Sequence, residues 1–153
     1  MANLLVFCDP PAGNPPAEAT NRLAQTIPNY PLSRNRPAKF RVDGFASIDS
    51  FGTEGFLRTT NLTFAGTKLK LNVDAGGEDT AGEKNYVRVE LLDAAGSVLP
   101  GYTQSDCDPI HVDRVDHVVT WGGKSDVSKL AGREISVKLY LKGAEVYALQ
   151  FVE

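Results

Sequence analysis

The sequence predicts an all-β protein, a two-sheet antiparallel sandwich of the jelly-roll or concanavalin-like kind, with a Pro-rich N-terminal extension. After Lys39, apolar and polar residues alternate with a period of two in several segments, which is the pattern of half-buried strands. Gly- and Asp-containing turn sequences separate these segments. No segment there keeps the helical apolar period of about 3.6 residues. Short strands with one polar face each favour the packing of two sheets.

The first 38 residues are predicted to form a short strand followed by a Pro-rich linker or arm. Residues 3–8 are apolar enough for a strand, and residues 10–37 contain most of the chain's nine prolines. Because Pro can neither donate to a sheet ladder nor continue a helix, we expect mostly extended chain here. Residues 17–25 have the composition for about two helical turns. The sandwich domain is then assigned to residues 39–153.

Four longer strands are predicted in the sandwich domain. Three come from alternating runs, and the fourth from an apolar run at the end of the chain; they are 69–73, 87–91, 135–141 and 146–152. The last run is apolar on both faces, so we expect it to lie centrally in a sheet.

The connections between these strands have turn chemistry. Asp93 to Gly96 suits a hairpin turn in which Gly96 has a positive φ, and Gly143 serves the same purpose before the last strand. Residues 125–132 predict a single helical turn, capped by Ser125 or Asp126 and ended by a glycine.

Charge and length exclude several function classes. The chain has 153 residues, enough for one domain with a hydrophobic core. Its net charge of -3 gives neither a basic footprint for nucleic acid nor a polybasic membrane patch. The apolar runs are too short for a membrane span or for the core of a signal peptide. We expect neither nucleic acid nor a membrane as a partner.

Two cysteines, Cys8 and Cys107, do not form a CxxC metal motif. One long-range disulfide and two buried free thiols both remain open. A nucleophilic Cys107 would need a neighbouring His111 or His117 to lower its pKa, and a buried cysteine that anchors its loop is the alternative.

The chemically richest stretch, residues 102–121, reads YTQSDCDPIHVDRVDHVVTW and contains the only Trp and both His residues. Its carboxyl groups are candidates for the pair that a glycosidase needs; they are Asp106, Asp108, Asp113 and Asp116. Asp residues beside a Pro more often form turns by accepting hydrogen bonds from backbone amides. His111 and His117 lie six residues apart with Asp113 between them, so a metal site is conceivable. A third well-placed ligand is missing.

Sugar binding is the functional candidate that this stretch favours, because sugar sites combine an aromatic face with polar groups. The candidates are Trp121, Tyr102, Asp106, Asp108, His111 and Arg114. The alternative is that Trp121 packs in the core, since Val115, His117, Val119 and Trp121 are expected to share one strand face.

A second candidate sugar surface comes from the strand alternation. Tyr86 shares a strand face with Arg88, and Tyr140 with Lys138, so both tyrosines are expected to point away from the core. If their strands are neighbours, the two rings form an aromatic platform; an ordinary cross-strand pair is the alternative.

Calcium is the one cofactor that the sequence suggests. The Gly-rich loop 74–84 offers hard oxygen ligands, namely Asp74, Glu78, Asp79 and Glu83. Their spacing is not that of an EF-hand, and a solvated acidic loop is the alternative.

Several segments together resemble a known type of domain. They are DGFASIDSFGTEG, LKLNVDA, VRVELLDAAGSVLPGY, SDCDPIHVD, HVVTWGGKSDVSKLAG and LYLKGAEVYALQF. The series, which covers about the last two-thirds of the chain, is similar to the C-terminal β-sandwich domain of bacterial glycoside hydrolases. In those proteins the domain follows a five-bladed propeller catalytic domain of the family 32/43 or sialidase-like kind.

This resemblance implies a non-catalytic accessory domain, a catalytic propeller as partner and an extracellular or periplasmic location. It brings no catalytic residues. Three function classes follow from the sequence: a carbohydrate-associated accessory domain, a structural or assembly module that uses the N-terminal arm, and a small glycan hydrolase. We expect the first.

Overall fold

The structure is a computed structural model that describes residues 5–7, 37–39 and 41–153. The chain divides into two compact units, Met1–Val42 and Asp43–Glu153. In the first unit, β1 (Leu5–Phe7) pairs antiparallel with β2 (Pro37–Lys39). The strand predicted at residues 3–8 is therefore present as β1. Cys8, the predicted helical turns at 17–25 and the rest of the Pro-rich segment lie outside the described residues.

The second unit consists of two antiparallel sheets. Its strands are β3 (Ile48–Asp49), β4 (Gly55–Arg58), β5 (Leu62–Thr63), β6 (Lys68–Asp74), β7 (Tyr86–Asp93), β8 (Asp113–Val118), β9 (Glu134–Lys142) and β10 (Glu145–Val152). One sheet has the order β3-β10-β6-β8. In the other sheet, β9 pairs with β7 along one edge and with β4 and β5 along the opposite edge. The all-β sandwich prediction is confirmed.

The core lies between the inward faces of the two sheets. On β6, Leu69, Leu71 and Val73 are fully buried, as the alternation predicts. Facing residues come from the other sheet, where Val89 and Leu139 are also fully buried. Each such side chain contributes roughly 1.5–3 kcal/mol through burial, so these alternating strands supply most of the driving force for folding.

The predicted turns are confirmed. Asp93 Oδ1 accepts hydrogen bonds from the N–H groups of Ala95 and Ser97 at 2.9 and 2.8 Å. Gly96 has a φ of 86°, and its N–H donates to the Asp93 carbonyl at 2.9 Å. Gly143, with a φ of 58°, connects β9 to β10. These positive φ values fit glycine, which has no Cβ to clash.

The single helical turn predicted at residues 125–132 is present as the 3-10 helix Ser128–Leu130. The predicted cap by Ser125 or Asp126 is wrong, because Val127 is the N-cap residue and no side-chain hydrogen bond caps the turn. Asp126, one residue earlier, accepts a hydrogen bond from Ser128 N–H at 2.8 Å through Oδ1. Gly132, with a φ of 76°, follows its end. Among the described residues, no helix is long and apolar enough to cross a membrane.

One predicted strand face is partly wrong because β8 contains a bulge. Leu71 lies opposite His117, whereas Val73 lies opposite Arg114, so β8 has one residue more than β6 in this interval. A bulge of this kind turns side chains away from the alternating pattern. Val115 is consequently 43% exposed, although Val119 is fully buried as expected.

The last strand is less central than predicted. β10 pairs with β6 over almost its whole length, but β3 covers its other edge only at Glu145 and Val146. β10 is apolar on both faces although it has a full-length neighbouring strand on one side only.

Candidate functional site

The edge of β7 that faces away from β9 is covered by the segment that follows it in sequence. Val87 exchanges two backbone hydrogen bonds with Ile110, at 3.0 and 2.9 Å. Leu91 N–H donates to the Tyr102 carbonyl at 3.0 Å, and Leu99 N–H donates to the Leu91 carbonyl at 2.9 Å. Between these two points the loop leaves the edge, and side chains take the place of backbone partners.

Cys107 and Trp121 provide those side chains at Val89. The Val89 N–H donates to Cys107 Sγ at 3.2 Å, and Trp121 Nε1 donates to the Val89 carbonyl at 3.0 Å. Each buried backbone group thus has a partner, which avoids the cost of an unpaired donor or acceptor. The loop is held against the sheet by these two side chains.

Trp121 belongs to the core, not to an exposed sugar platform. It is only 4% exposed, and its ring packs edge-on against Tyr102, with 5.2 Å between ring centroids. A sugar ring would need the face of the indole to be accessible, so the prediction of Trp121 as a stacking residue is wrong. The core-packing alternative explains its position.

Cys107 is a free, buried thiol. Burial raises its pKa to about 11, although the hydrogen bond from Val89 N–H opposes this shift. Because the thiol stays protonated at neutral pH, Cys107 is not an activated nucleophile. It anchors the loop, as the alternative interpretation expected.

An open cleft of about 860 Å³ lies beside this part of the loop. It brings together four of the residues predicted for sugar binding, namely Tyr102, Asp106, Asp108 and Trp121. Cationic side chains also line it; they are Arg88, Lys124 and Lys129. The cleft is polar, and its two aromatic rings are packed against each other.

The aspartates of the cleft bond groups of the protein: Asp106 bonds within its own turn, and Asp108 bonds the distant residues Thr120 and Gly123. Asp108 Oδ2 accepts hydrogen bonds from Thr120 Oγ1 at 2.6 Å and from Gly123 N–H at 2.8 Å. These bonds, the Thr120 bond above all, lower the pKa of Asp108. Asp106 Oδ2 accepts from Thr103 Oγ1 at 2.8 Å. A glycosidase acid needs a raised pKa, so the shift at Asp108 has the opposite sign to that role.

His111 and Arg114 lie outside this cleft. His111 Nδ1 is 2.6 Å from the Asn85 carbonyl oxygen, and His111 borders a separate cavity of about 360 Å³ with Glu78 and Lys84. Arg114 lies on β8, where its side chain is exposed. The six residues predicted around Trp121 therefore do not form one site.

His117 is half-buried on β8, and its Nδ1 atom is buried without a hydrogen-bond partner. Burial lowers its pKa, and the positive charge of Arg114 adds to this shift, while Asp116 opposes it. Within the part of the chain that the structure describes, no group of three or more His, Cys, Asp and Glu residues is placed to hold a metal ion.

Three of the four predicted calcium ligands in the acidic loop contact other groups of the protein, namely Asp74, Asp79 and Glu83. Asp79 Oδ1 accepts from the N–H groups of Ala81 and Glu83, both at 2.9 Å. Asp79 Oδ2 is 3.1 Å from Lys142 Nζ, which also contacts Glu83. The hydrogen bond from Glu83 N–H is the main cause of the lowered pKa of Asp79. Asp74 Oδ1 accepts from Gly76 N–H at 3.0 Å. These contacts order the loop, and the calcium site stays a prediction beside the alternative of a solvated acidic loop.

The outward face of the other sheet carries the second predicted surface. β7 and β9 are neighbours, with Tyr86 opposite Lys142 and Arg88 opposite Tyr140, so both tyrosines lie on the same outward face. Phe56 of β4 lies opposite Tyr140 on the other side and extends the row. We call Phe56, Tyr86 and Tyr140 the aromatic face.

Charged groups surround the aromatic face. Lys138 Nζ is 4.6 Å from the ring centroids of both Phe56 and Tyr140, which are themselves 6.4 Å apart. Tyr140 Oη donates to Glu90 Oε1 at 3.1 Å, and Tyr86 Oη donates to a glutamate, Glu54. These bonds fix the tilt of both tyrosine rings.

Phe56 is the functional candidate that sequence reasoning missed. Its ring is 69% exposed, more than a core residue would allow. The signal was present in the sequence, because Phe56 and Arg58 flank the inward-facing Leu57 of a short strand. β4 has only four residues, which is too few to recognise the alternation of a strand from the sequence alone.

No protein-family model matches this chain, and neither the curated proteins nor the solved structures provide a match.

Proposed function

We propose that the unit Asp43–Glu153 is a carbohydrate-binding accessory domain that takes a sugar on its aromatic face. The observation that carries the proposal is the 69% exposed Phe56 ring beside Tyr140 on the outward face of a sheet. Aromatic rings in such a position pack against the C–H surfaces of sugars.

Polar groups at the right places support this proposal. Lys138 lies between the rings of Phe56 and Tyr140 and supplies three donors for sugar hydroxyl groups. Arg88 Cζ lies 6.0 Å from the Tyr86 ring centroid and adds further donors at the other end of the row. The Phe56 and Tyr140 rings are tilted by 48° to each other, and an open row of rings with flanking donors fits an extended glycan better than a small molecule that needs enclosure.

The aromatic face is a better candidate than the cleft beside Trp121. In the cleft, Tyr102 Oη donates to the Asp126 carbonyl at 3.1 Å, and its ring is packed against the buried Trp121. Trp121 is buried, so Tyr102 is the single half-exposed ring of the cleft, and the cleft offers no pair of rings for stacking. Arg88 borders both surfaces.

The resemblance to the C-terminal domains of bacterial glycoside hydrolases supports the accessory role. On this proposal the domain acts beside a catalytic propeller, outside the cell or in the periplasm, and holds that partner close to its glycan. The chemistry of hydrolysis belongs to the partner. The lowered pKa values of Asp108 and Asp126 agree with this division, because a general acid needs a raised one.

A glycan array with the intact protein tests the proposal, followed by titration calorimetry on the best ligand. Phe56→Ala and Tyr140→Ala should each weaken binding by about tenfold or more, as expected for the loss of one stacked ring. Phe51→Ala is the matched control, because Phe51 is 92% exposed and makes no ring contact with the aromatic face within residues 41–153. Absence of binding at millimolar sugar, or equal losses in Phe51→Ala and Phe56→Ala, would contradict the proposal.

A further inference from the structure

Within the residues that the structure describes, no strand lies along one side of β10 from Ala148 to Val152. β6 pairs with one side of β10 from Glu145 to Val152, whereas β3 covers the other side only at Glu145 and Val146. Beyond these two residues, no described strand lies along that side. An open strand edge is a template on which another strand can pair.

The direction of the backbone groups on this edge can be assigned. The Val152 carbonyl accepts a hydrogen bond from Thr67 N–H at 2.7 Å, on the side of β6. Because the backbone groups of successive residues point to opposite sides of a strand, those of Gln150 also point towards β6. Those of Leu149 and Phe151 therefore point to the open side.

The open edge of β10 differs from the edge of β7 in how its groups are satisfied. At Val87, Val89 and Leu91, a loop supplies a partner for the outward backbone groups. Leu149 and Phe151 have no such partner within the residues that the structure describes. Their side chains point inward but remain half-exposed, unlike those of the neighbouring β6 strand, which are fully buried.

Beyond the bulge at Tyr147, this edge has no charge or proline up to Val152 that would protect an exposed strand. Residues 147–152 read YALQFV and contain no Lys, Glu, Asp, Arg or Pro. Charges or prolines on an edge strand oppose pairing with another chain. A second copy of the same edge would therefore meet it without repulsion between like charges, which makes the edge compatible with itself.

We propose that two copies of the protein pair antiparallel through their β10 edges, with Gln150 opposite Gln150 on the two-fold axis. Residues that lie directly opposite each other in two paired strands point to the same face of the sheet. The two-fold axis must therefore pass through a residue position and not between two residues. An axis at Leu149 would set Glu145, already paired with β3, opposite Glu153 of the second copy. An axis at Gln150 sets Leu149 opposite Phe151 and Tyr147 opposite Glu153, so no two charges of like sign face each other.

This register satisfies the open backbone groups. Leu149 and Phe151 of each copy exchange backbone hydrogen bonds with Phe151 and Leu149 of the other, which gives four new bonds across the axis. Each sheet β3-β10-β6-β8 then continues into its copy. The two exposed Gln150 side chains lie side by side on the outward face of the joined sheet.

Sedimentation velocity of the intact protein and of variants with a charge at Gln150 tests the proposal. The unaltered protein should form a dimer with a dissociation constant in the micromolar range. Gln150→Lys and Gln150→Glu each place two like charges in contact and should raise that constant by about tenfold or more. An equimolar mixture of the two variants should restore the dimer, because Lys then faces Glu.

Two further measurements separate this effect from a general change of stability. Gln150 is exposed and lies opposite Lys70 on β6, so Gln150→Glu places a negative charge beside a positive one within the same chain. This variant should remain folded, as measured by circular dichroism. Thr63→Lys, an exposed position of β5, adds one charge to the other sheet and should leave the dimer intact. A monomeric unaltered protein at every concentration, dimeric Gln150→Glu, or a mixture that stays monomeric would each overturn the proposal.

Discussion

Replacing Trp121 by Phe separates the structural role of this residue from any role in binding. The substitution keeps an aromatic ring but removes the indole N–H that donates to the Val89 carbonyl at 3.0 Å. Val89 is fully buried, so water cannot replace the lost donor. The substitution also leaves a small cavity beside Tyr102, which packs edge-on against the indole ring.

The expected loss of stability follows from these two changes. A buried acceptor left without its donor costs about 1–3 kcal/mol. The cavity left by the missing part of the indole adds roughly 1–2 kcal/mol, less than half of the cost of a complete Trp truncation. We therefore expect the free energy of unfolding to fall by about 2–5 kcal/mol.

Urea denaturation with matched variants checks this value, provided that the slope of the transition is unchanged. Tyr102→Phe is the control, because it also removes one donor, but from a half-exposed hydroxyl that bonds the exposed Asp126 carbonyl. It should cost about 1 kcal/mol or less, since water can replace the bond. Equal losses in the two variants would refute the role assigned to Trp121. The folded Trp121→Phe protein should keep any glycan binding of the aromatic face.

Three further predictions concern pH, thiol chemistry and a close backbone contact. Because burial and a nearby arginine lower the pKa of His117, the unfolded chain takes up a proton first, and stability should decrease as the pH falls below about 6.5. His117→Gln should flatten this dependence in urea titrations between pH 7.5 and 5.5, and an unchanged slope would contradict it. Cys107 should resist alkylation in the native protein and react only in urea, as followed by mass spectrometry of its peptide; rapid native labelling would show that the thiol is accessible. Gly66→Ala should destabilise more than Gly132→Ala, because its Cβ would lie 2.7 Å from the Val152 carbonyl oxygen, whereas Gly132 has no atom within 4 Å and incurs only the positive-φ cost of about 1–2 kcal/mol. Similar midpoints in thermal melts would refute this ranking.

Strand alternation and turn chemistry predicted most of the fold because both are local. Leu69, Leu71 and Val73 alternate with polar residues, and this alone identifies their strand and its buried face. The Asp93 turn is likewise fixed by its own side chain and by Gly96. Such features require no knowledge of the rest of the chain.

The bulge in β8 could not be predicted because it depends on a partner strand. The sequence from Asp113 to Val118 has no unusual residue that marks an extra position. Only the pairing with β6 shows that three steps on one strand match two on the other, and this changes which side chains are buried. The predicted inward orientation of Val115 failed for this reason.

The candidate site was predicted in part. The outward orientation of Tyr86 and Tyr140 followed from two alternating strands, and the pairing of β7 with β9 settles the neighbour relation that the sequence left open. Phe56 lies in a strand too short to show a pattern. The residues predicted to form a sugar site with Trp121 are close to it in the sequence, but closeness in the sequence does not place them together in the fold. In the folded chain, the loop returns to the sheet at Trp121 and separates His111 from the cleft.

The way in which the loop after β7 is attached has a consequence for how such a domain can change. Cys107 and Trp121 tie the loop to Val89, and Arg88 adds a bond to the Gln104 carbonyl, but the side chains of Lys124 and Lys129 take no part in these bonds. The lining residues Lys124 and Lys129 can therefore be exchanged without loosening the attachment. A surface whose chemistry varies independently of its anchoring can diverge between related proteins, or be redesigned in the laboratory, while the sheet beneath it stays the same.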